Sequence, residues 1–221
     1  MMNNIYGVMP MMENFLSNNL KYLKLNSLWV KASTIVFFGS ALFFGGIASL
    51  YPQLVENIFY GYFTEIEQIG EQVFGADPLI GTVMLFWNNL MASLIMILFG
   101  IILSLPTLFA LSINGGALGV LASFMSFQGI NPIPVYILGI LPHGIFEIPA
   151  ILISGGLGLK IGYQLLFPPS SANRLAALKT NINHGIKLLP GIVILLAVAA
   201  VIEIFVTPQL LDLAGLNMEH N

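Results

Sequence analysis

Five stretches of the chain are nearly free of polar side chains, and each is long enough to read as a membrane-crossing helix. About 20 apolar residues are needed to cross a hydrocarbon core of roughly 30 Å. The first stretch runs from Ala32 to Leu50, the second from Met84 to Leu105 and the third from Thr107 to Phe127. The fourth covers Val135 to Leu159 and the fifth Leu188 to Val206. Only Ser104, Pro106 and Thr107 interrupt the run between the second and third. That spacing predicts a tight hairpin or a pair of re-entrant segments, and leaves both five and six membrane segments open. After the first span, residues 53–77 follow a different pattern, with Leu54, Val55, Ile58, Phe59, Tyr62 and Ile66 recurring at helical spacing among polar positions. The pattern predicts an amphipathic helix on the membrane surface, packed as a cap over the spans.

Composition places this pattern in a membrane. Of 221 residues 57% are hydrophobic and 8% charged, and the mean hydropathy is +0.90, against roughly 25% charge in soluble domains. No polar stretch is long enough for a soluble domain. The expected organisation is a segment 1–31, one transmembrane domain 32–206 and a tail 207–221: an all-α, polytopic transmembrane helical bundle of about five spanning helices, embedded in the lipid bilayer. Met1 to Asn26 holds no uninterrupted apolar core of an export signal, so the first hydrophobic segment is expected to be retained. Cysteine is absent, which excludes thiol nucleophiles, disulfides and thiolate metal sites. The net charge of −3 offers nothing to nucleic acid, and no cofactor is expected.

Charge also orients the chain. Lys21, Lys24 and Lys31 precede the first span, and Lys160, Arg174, Lys179 and Lys187 lie between the fourth and fifth, in an expected basic loop 160–187. With five spans the positive-inside rule puts the N-terminus in the cytoplasm and the acidic segment 53–77 outside, in the plasma membrane. Small residues mark close helix crossings: Gly115 and Gly119 form a GxxxG pair, and Ser154, Gly158 and Gly162 form a second row. These rows are expected to pack the third span on the fourth, or to form a homo-oligomer face.

From position 78 to position 159 the one formally charged side chain is Glu147, four residues after His143 in Leu141-Pro-His-Gly-Ile-Phe-Glu-Ile-Pro-Ala150. The spacing puts both on one helix face. Pro142 suits a first helical turn, and Pro149 removes the hydrogen bond to the Ile145 carbonyl, so a broken or kinked helix is expected around Pro142–Pro149. An ionised carboxylate at this depth costs about 3 kcal/mol, so Glu147 is expected to face the bundle interior, protonated or paired. Asn114, Asn88, Asn89 and Glu203 lie at matching depths, and a buried cluster in which these groups satisfy one another is the expected arrangement. Three uses of it remain open: a hydrogen-bonded core that fixes helix register, a proton or ion pathway, and a metal site with His143 and Glu147 as candidate ligands. His184 in the basic loop and His220 in the tail are expected to be solvated.

Phe109-Ala-Leu-Ser-Ile-Asn-Gly-Gly-Ala-Leu-Gly119 and Gly139-Ile-Leu-Pro-His-Gly-Ile-Phe-Glu-Ile-Pro-Ala-Ile-Leu-Ile-Ser-Gly155 resemble the two most recognisable stretches of the stage II sporulation protein M family. The resemblance runs from about Phe15 to Val206. It implies a multi-pass membrane protein with no assigned enzymatic activity; the expected role is non-enzymatic, a scaffold for membrane-associated partners, with a small-solute, ion or proton conduit as the alternative. In spore formers the partners are two proteins called D and P, which remodel peptidoglycan during engulfment. It also marks Asn114, Gly115, Pro142, His143, Gly144, Glu147 and Pro149 as the core of the site.

Overall fold

The computed structural model describes residues 5–170 and 173–216, and among them the regular structure is helical throughout. In chain order the helices are α1 (Ile5–Leu25), α2 (Ser27–Leu50), α3 (Pro52–Gly75), α4 (Pro78–Leu98), α5 (Leu105–Phe127), α6 (Pro132–Val135), α7 (Leu141–Leu166), α8 (Arg174–Phe205) and α9 (Thr207–Leu213). Five helical runs are long and apolar enough to cross a membrane: α2, α4 with its extension to Ile101, α5, the run Pro132–Leu166, and the run Arg174–Leu213. Polar residues and prolines punctuate the chain where the sequence changes character. Asp77 caps α4 by accepting the Leu79 N–H at 2.9 Å, with Pro78 in the first turn. Asn131 and Asn173 cap α6 and α8 in the same way.

The link between α4 and α5 is a tight hairpin, so the second and third spans are separate full helices. A 3₁₀ turn, Phe99–Ile101, ends α4, and the chain reverses through Leu103 and Ser104, both with positive φ (52° and 63°). Two hydroxyls close it: Thr107 donates to the Met96 carbonyl at 2.8 Å, and Ser104 donates to the Leu159 carbonyl of α7 at 3.0 Å. Carbonyls at a helix end inside a bilayer need such partners, because no water reaches them. The second span starts earlier than its hydropathy alone suggests, at Pro78.

Both small-residue rows are used within the chain; the Gly115/Gly119 row has a partner other than the one expected, while the α7 row meets the start of the third span as well as the second. Gly115 and Gly119 receive the Phe37 and Ala41 carbonyls of α2, and the Ser123 hydroxyl donates to the Gly45 carbonyl at 2.9 Å. Contacts advance in step along both helices, so α2 and α5 run parallel with their backbones touching. The expected pairing of this row with the fourth span is therefore corrected. On α7, Gly158 seats Met96, Gly100 and Thr107, while Gly162 seats Ser104; this row clasps the α4–α5 hairpin. Without a hydrophobic force between helices in lipid, such backbone approach supplies the dispersion contacts that hold them. Ser154, in the same row, is fully buried.

Two further expectations change. Most of the expected basic loop 160–187 is helical, because α7 continues past Lys160 to Leu166 and α8 begins at Arg174. A lone lysine does not end a helix when a buried amide can receive its ammonium, and Asn26 does so. The helix irregularity lies just before Pro142: Tyr136–Ile140 forms a π turn in which the Leu141 N–H reaches the Tyr136 carbonyl. Pro142 has no N–H to continue the α-helical ladder, which accounts for the widened turn. Helix α7 itself runs on through Pro149.

Candidate functional site

Helix α3 lies over the ends of the spans as an amphipathic cap, burying Val55, Phe59 and Val73 beneath it. Under its middle is a cavity of about 640 Å³. Its walls bring together Tyr62 of α3, Asn88 and Asn89 of α4, Asn114 of α5, His143 and Glu147 of α7, and Glu203 of α8. Each of the six polar residues singled out from the sequence faces this one space.

At its floor, His143, Glu147 and Glu203 each present a ligand atom within 4.8 Å of the other two. His143 Nε2 lies 4.0 Å from a Glu203 oxygen, with the two side chains 13% and 23% exposed. On the other edge of the ring, Nδ1 faces the Thr207 hydroxyl at 3.5 Å. The α7 helix places His143 and Glu147 one turn apart, and the turn between α8 and α9 brings Thr207, buried, to the back of the imidazole. Glu147 lies about 22 Å along the run that starts at Pro132, by the helical rise of ~1.5 Å per residue, and so near mid-span.

The asparagines do not satisfy these acids, contrary to expectation. Asn114 accepts from the Tyr62 hydroxyl at 3.2 Å and donates to the Ala110 carbonyl at 2.8 Å, while Asn88 and Asn89 stand on the facing wall. Among the described residues no side chain or backbone group donates a hydrogen bond to Glu147 or Glu203. Burial, with the Glu147 and Glu65 carboxylates nearby, pushes the Tyr62 phenol up to about 12, so it stays protonated and remains a donor. Gly144 has room for a methyl, whose nearest neighbour would be the Ile148 side chain at 3.6 Å. Gly144 therefore leaves space on the cavity wall beside His143, whereas Gly115 is glycine because α2 touches it. Tyr62 and Thr207 were not legible as site residues: Tyr62 reads as one more member of an apolar stripe, and Thr207 as the residue that ends a span.

A second polar cluster lies at the other end of the bundle. The Lys160 ammonium donates to the Asn26 side-chain oxygen at 2.8 Å, and the His184 ring lies 3.2 Å from the Asn26 amide nitrogen and 3.4 Å from the ammonium. Asn26 is fully buried and Tyr22 stacks edge-on to His184. His184 is thus packed into the α1–α7–α8 junction and is not a solvated loop residue; His220 lies outside the described residues.

The family model of stage II sporulation protein M matches residues 34–208, which include the cavity floor from His143 to Thr207. The chain belongs to the stage II sporulation protein M family. An uncharacterized protein of Methanocaldococcus jannaschii is 35% identical over 123 residues, covering 56% of this chain and 68% of that protein. No solved structure matches the chain. For this member of the stage II sporulation protein M family, the five apolar helical runs establish a multi-pass membrane protein, and the cavity is the place where its polar chemistry is concentrated.

Proposed function

We propose that the protein admits a small cation or a proton from its α3 face into the half-bundle cavity and holds it on His143, Glu147 and Glu203. One observation carries the reading: two carboxylates and an imidazole converge on a space inside an apolar bundle, and among the described residues no group donates a hydrogen bond to the carboxylates. Carboxylates inside a bilayer face the bundle interior or an aqueous cavity and mark ion and proton paths. Glu65 lines the cavity, and the acidic residues Glu67, Glu71 and Asp77 elsewhere on or beside α3 would add to a negative field on that side. Toward the basic end, Gly158 and Gly162 close on the α4–α5 hairpin, so the arrangement is that of a half-path with one entrance. Passage across the membrane then proceeds by alternating access, in which the α7–hairpin clasp loosens.

The test is flux in liposomes. Wild-type protein is expected to release a proton gradient or admit a monovalent or divalent cation, and Glu147→Gln to abolish that flux while the protein still elutes as a single species. Flux equal to that of empty liposomes for every cation tried would remove the conduit reading.

A scaffold role, which the family resemblance suggests, draws support from a different surface. The outer side of α3 exposes Tyr60 together with Glu67 and Glu71, a face fit for a basic partner surface. In-membrane crosslinking in the native host tests it. Reproducible recovery of other proteins, undiminished by Glu147→Gln, is the expected outcome for a scaffold.

A further inference from the structure

Chemistry at the cavity floor specifies its cation more closely than charge alone. We infer that His143, Glu147 and Glu203 form a binding site for a divalent first-row transition metal, an inference that rests on the cavity reading above and names its ligand class.

Three observations support it independently. First, the donor set is mixed. An imidazole nitrogen suits zinc, iron and cobalt better than calcium or magnesium, which take oxygen ligands, and two carboxylates supply the negative charge that a divalent ion balances. Second, the distances fit an ion between the groups. The His143 Nε2 to Glu203 oxygen distance of 4.0 Å is too long for a hydrogen bond, and lies about 0.6 Å beyond the roughly 3.4 Å that separates two ligands about 2.1 Å from one tetrahedral ion. The third donor, from Glu147, completes a set within 4.8 Å, so small side-chain rotations bring all three onto one centre.

Third, the imidazole is held as metal-binding histidines are held. Its second nitrogen faces the Thr207 hydroxyl, which fixes the ring and turns Nε2 toward the two acids. Thr207 is buried at the start of α9, so this support is built into the fold and not a surface accident. Three protein ligands leave the remaining coordination positions facing the cavity, which keeps the ion reachable from the α3 side.

The electrostatic alternative is unfavourable. All seven Lys and Arg residues of the chain lie outside positions 32–159 and 188–221, so no fixed cation neutralises the pair of carboxylates. Either protons or an exogenous cation must do so. A metal ion engages the imidazole and both carboxylates together.

The experiment uses full-length protein in nanodiscs, stripped with a chelator and titrated with cobalt(II), then with zinc(II) and manganese(II) in competition. Expected are about one ion per chain and a cobalt visible absorption band. Affinity should fall more than about 100-fold in His143→Ala, Glu147→Gln and Glu203→Gln, and about 10–100-fold in Thr207→Val, which leaves every ligand in place. The wild-type spectrum and Thr207→Val keep the test decisive if a ligand variant fails to fold. No band and no bound ion in folded wild-type protein, or equal affinity in all four variants, would overturn the metal site. Asn89→Cys on the cavity wall separates that failure from failure of the cavity reading. Labelling by a water-soluble maleimide with no metal bound sinks the metal alone, and no labelling sinks the cavity as well.

Discussion

The Phe37 carbonyl of α2 occupies the space where a Cβ on Gly115 of α5 would stand. The contact fixes how close these parallel helices lie and hence the position of Asn114, one residue away on the cavity wall. Gly115→Ala is expected to force them apart at a cost of about 1–3 kcal/mol, as overpacking does. Gly46→Ala is the control, since nothing lies within 4 Å of a Cβ there and alanine favours the helix by up to about 1 kcal/mol. Thermal unfolding in detergent should separate the two; equal midpoints would mean that α2 and α5 are not in backbone contact.

Lys160 and Asn26 should be energetically coupled. Asn26→Ala leaves a buried ammonium without its 2.8 Å acceptor, and is expected to cost about 1–3 kcal/mol. In Lys160→Met, where the stem volume is kept and the charge removed, the same asparagine substitution should cost less. A double-mutant cycle checks this, and additivity within about 0.5 kcal/mol would show that the pair does not interact.

The α4–α5 hairpin makes two opposite predictions. Leu103 sits at φ 52°, a region that costs an L-residue about 1–2 kcal/mol, so Leu103→Gly is expected to raise stability despite the looser unfolded chain. Thr107→Val keeps the shape but strands the Met96 carbonyl, and should lower stability by about 1 kcal/mol. Denaturation midpoints that move the same way in both variants would contradict the turn geometry.

What was legible in the sequence follows from the physics of each signal. Apolar length locates spans, and the charge-free run around Glu147 together with its four-residue spacing from His143 located the site helix. Helical rise alone brought Glu203 to the right depth. A GxxxG pair, by contrast, states that some helix approaches and not which one, so Gly115 and Gly119 found α2 where the fourth span was expected. Lys160 reads as the end of a span because charge does so on average. Its burial depends on Asn26, whose place in sequence is 134 residues distant. Thr207 and Tyr62 belong to the site only through tertiary packing, and no local pattern announces them.

The distribution of charge along the chain makes a prediction about orientation. The exposed residues Glu67 on α3 and Lys179 on α8 lie at opposite ends of the bundle, with five apolar runs between the chain's start and end. The basic residues flank the ends of α2, α7 and α8 that lie away from α3, and by the positive-inside rule that end is expected to face the cytoplasm. The cavity would then open to the outside, where an extracellular ion meets α3 first. Because the chain has no cysteine, Glu67→Cys and Lys179→Cys each give a single reporter. An impermeant maleimide added to intact cells should label the first and reach the second only after the membrane is opened. The reverse pattern would turn the mouth to the cytoplasm and make the site a receiver of cytoplasmic ions. Labelling of both from one side would contradict the odd number of crossings itself.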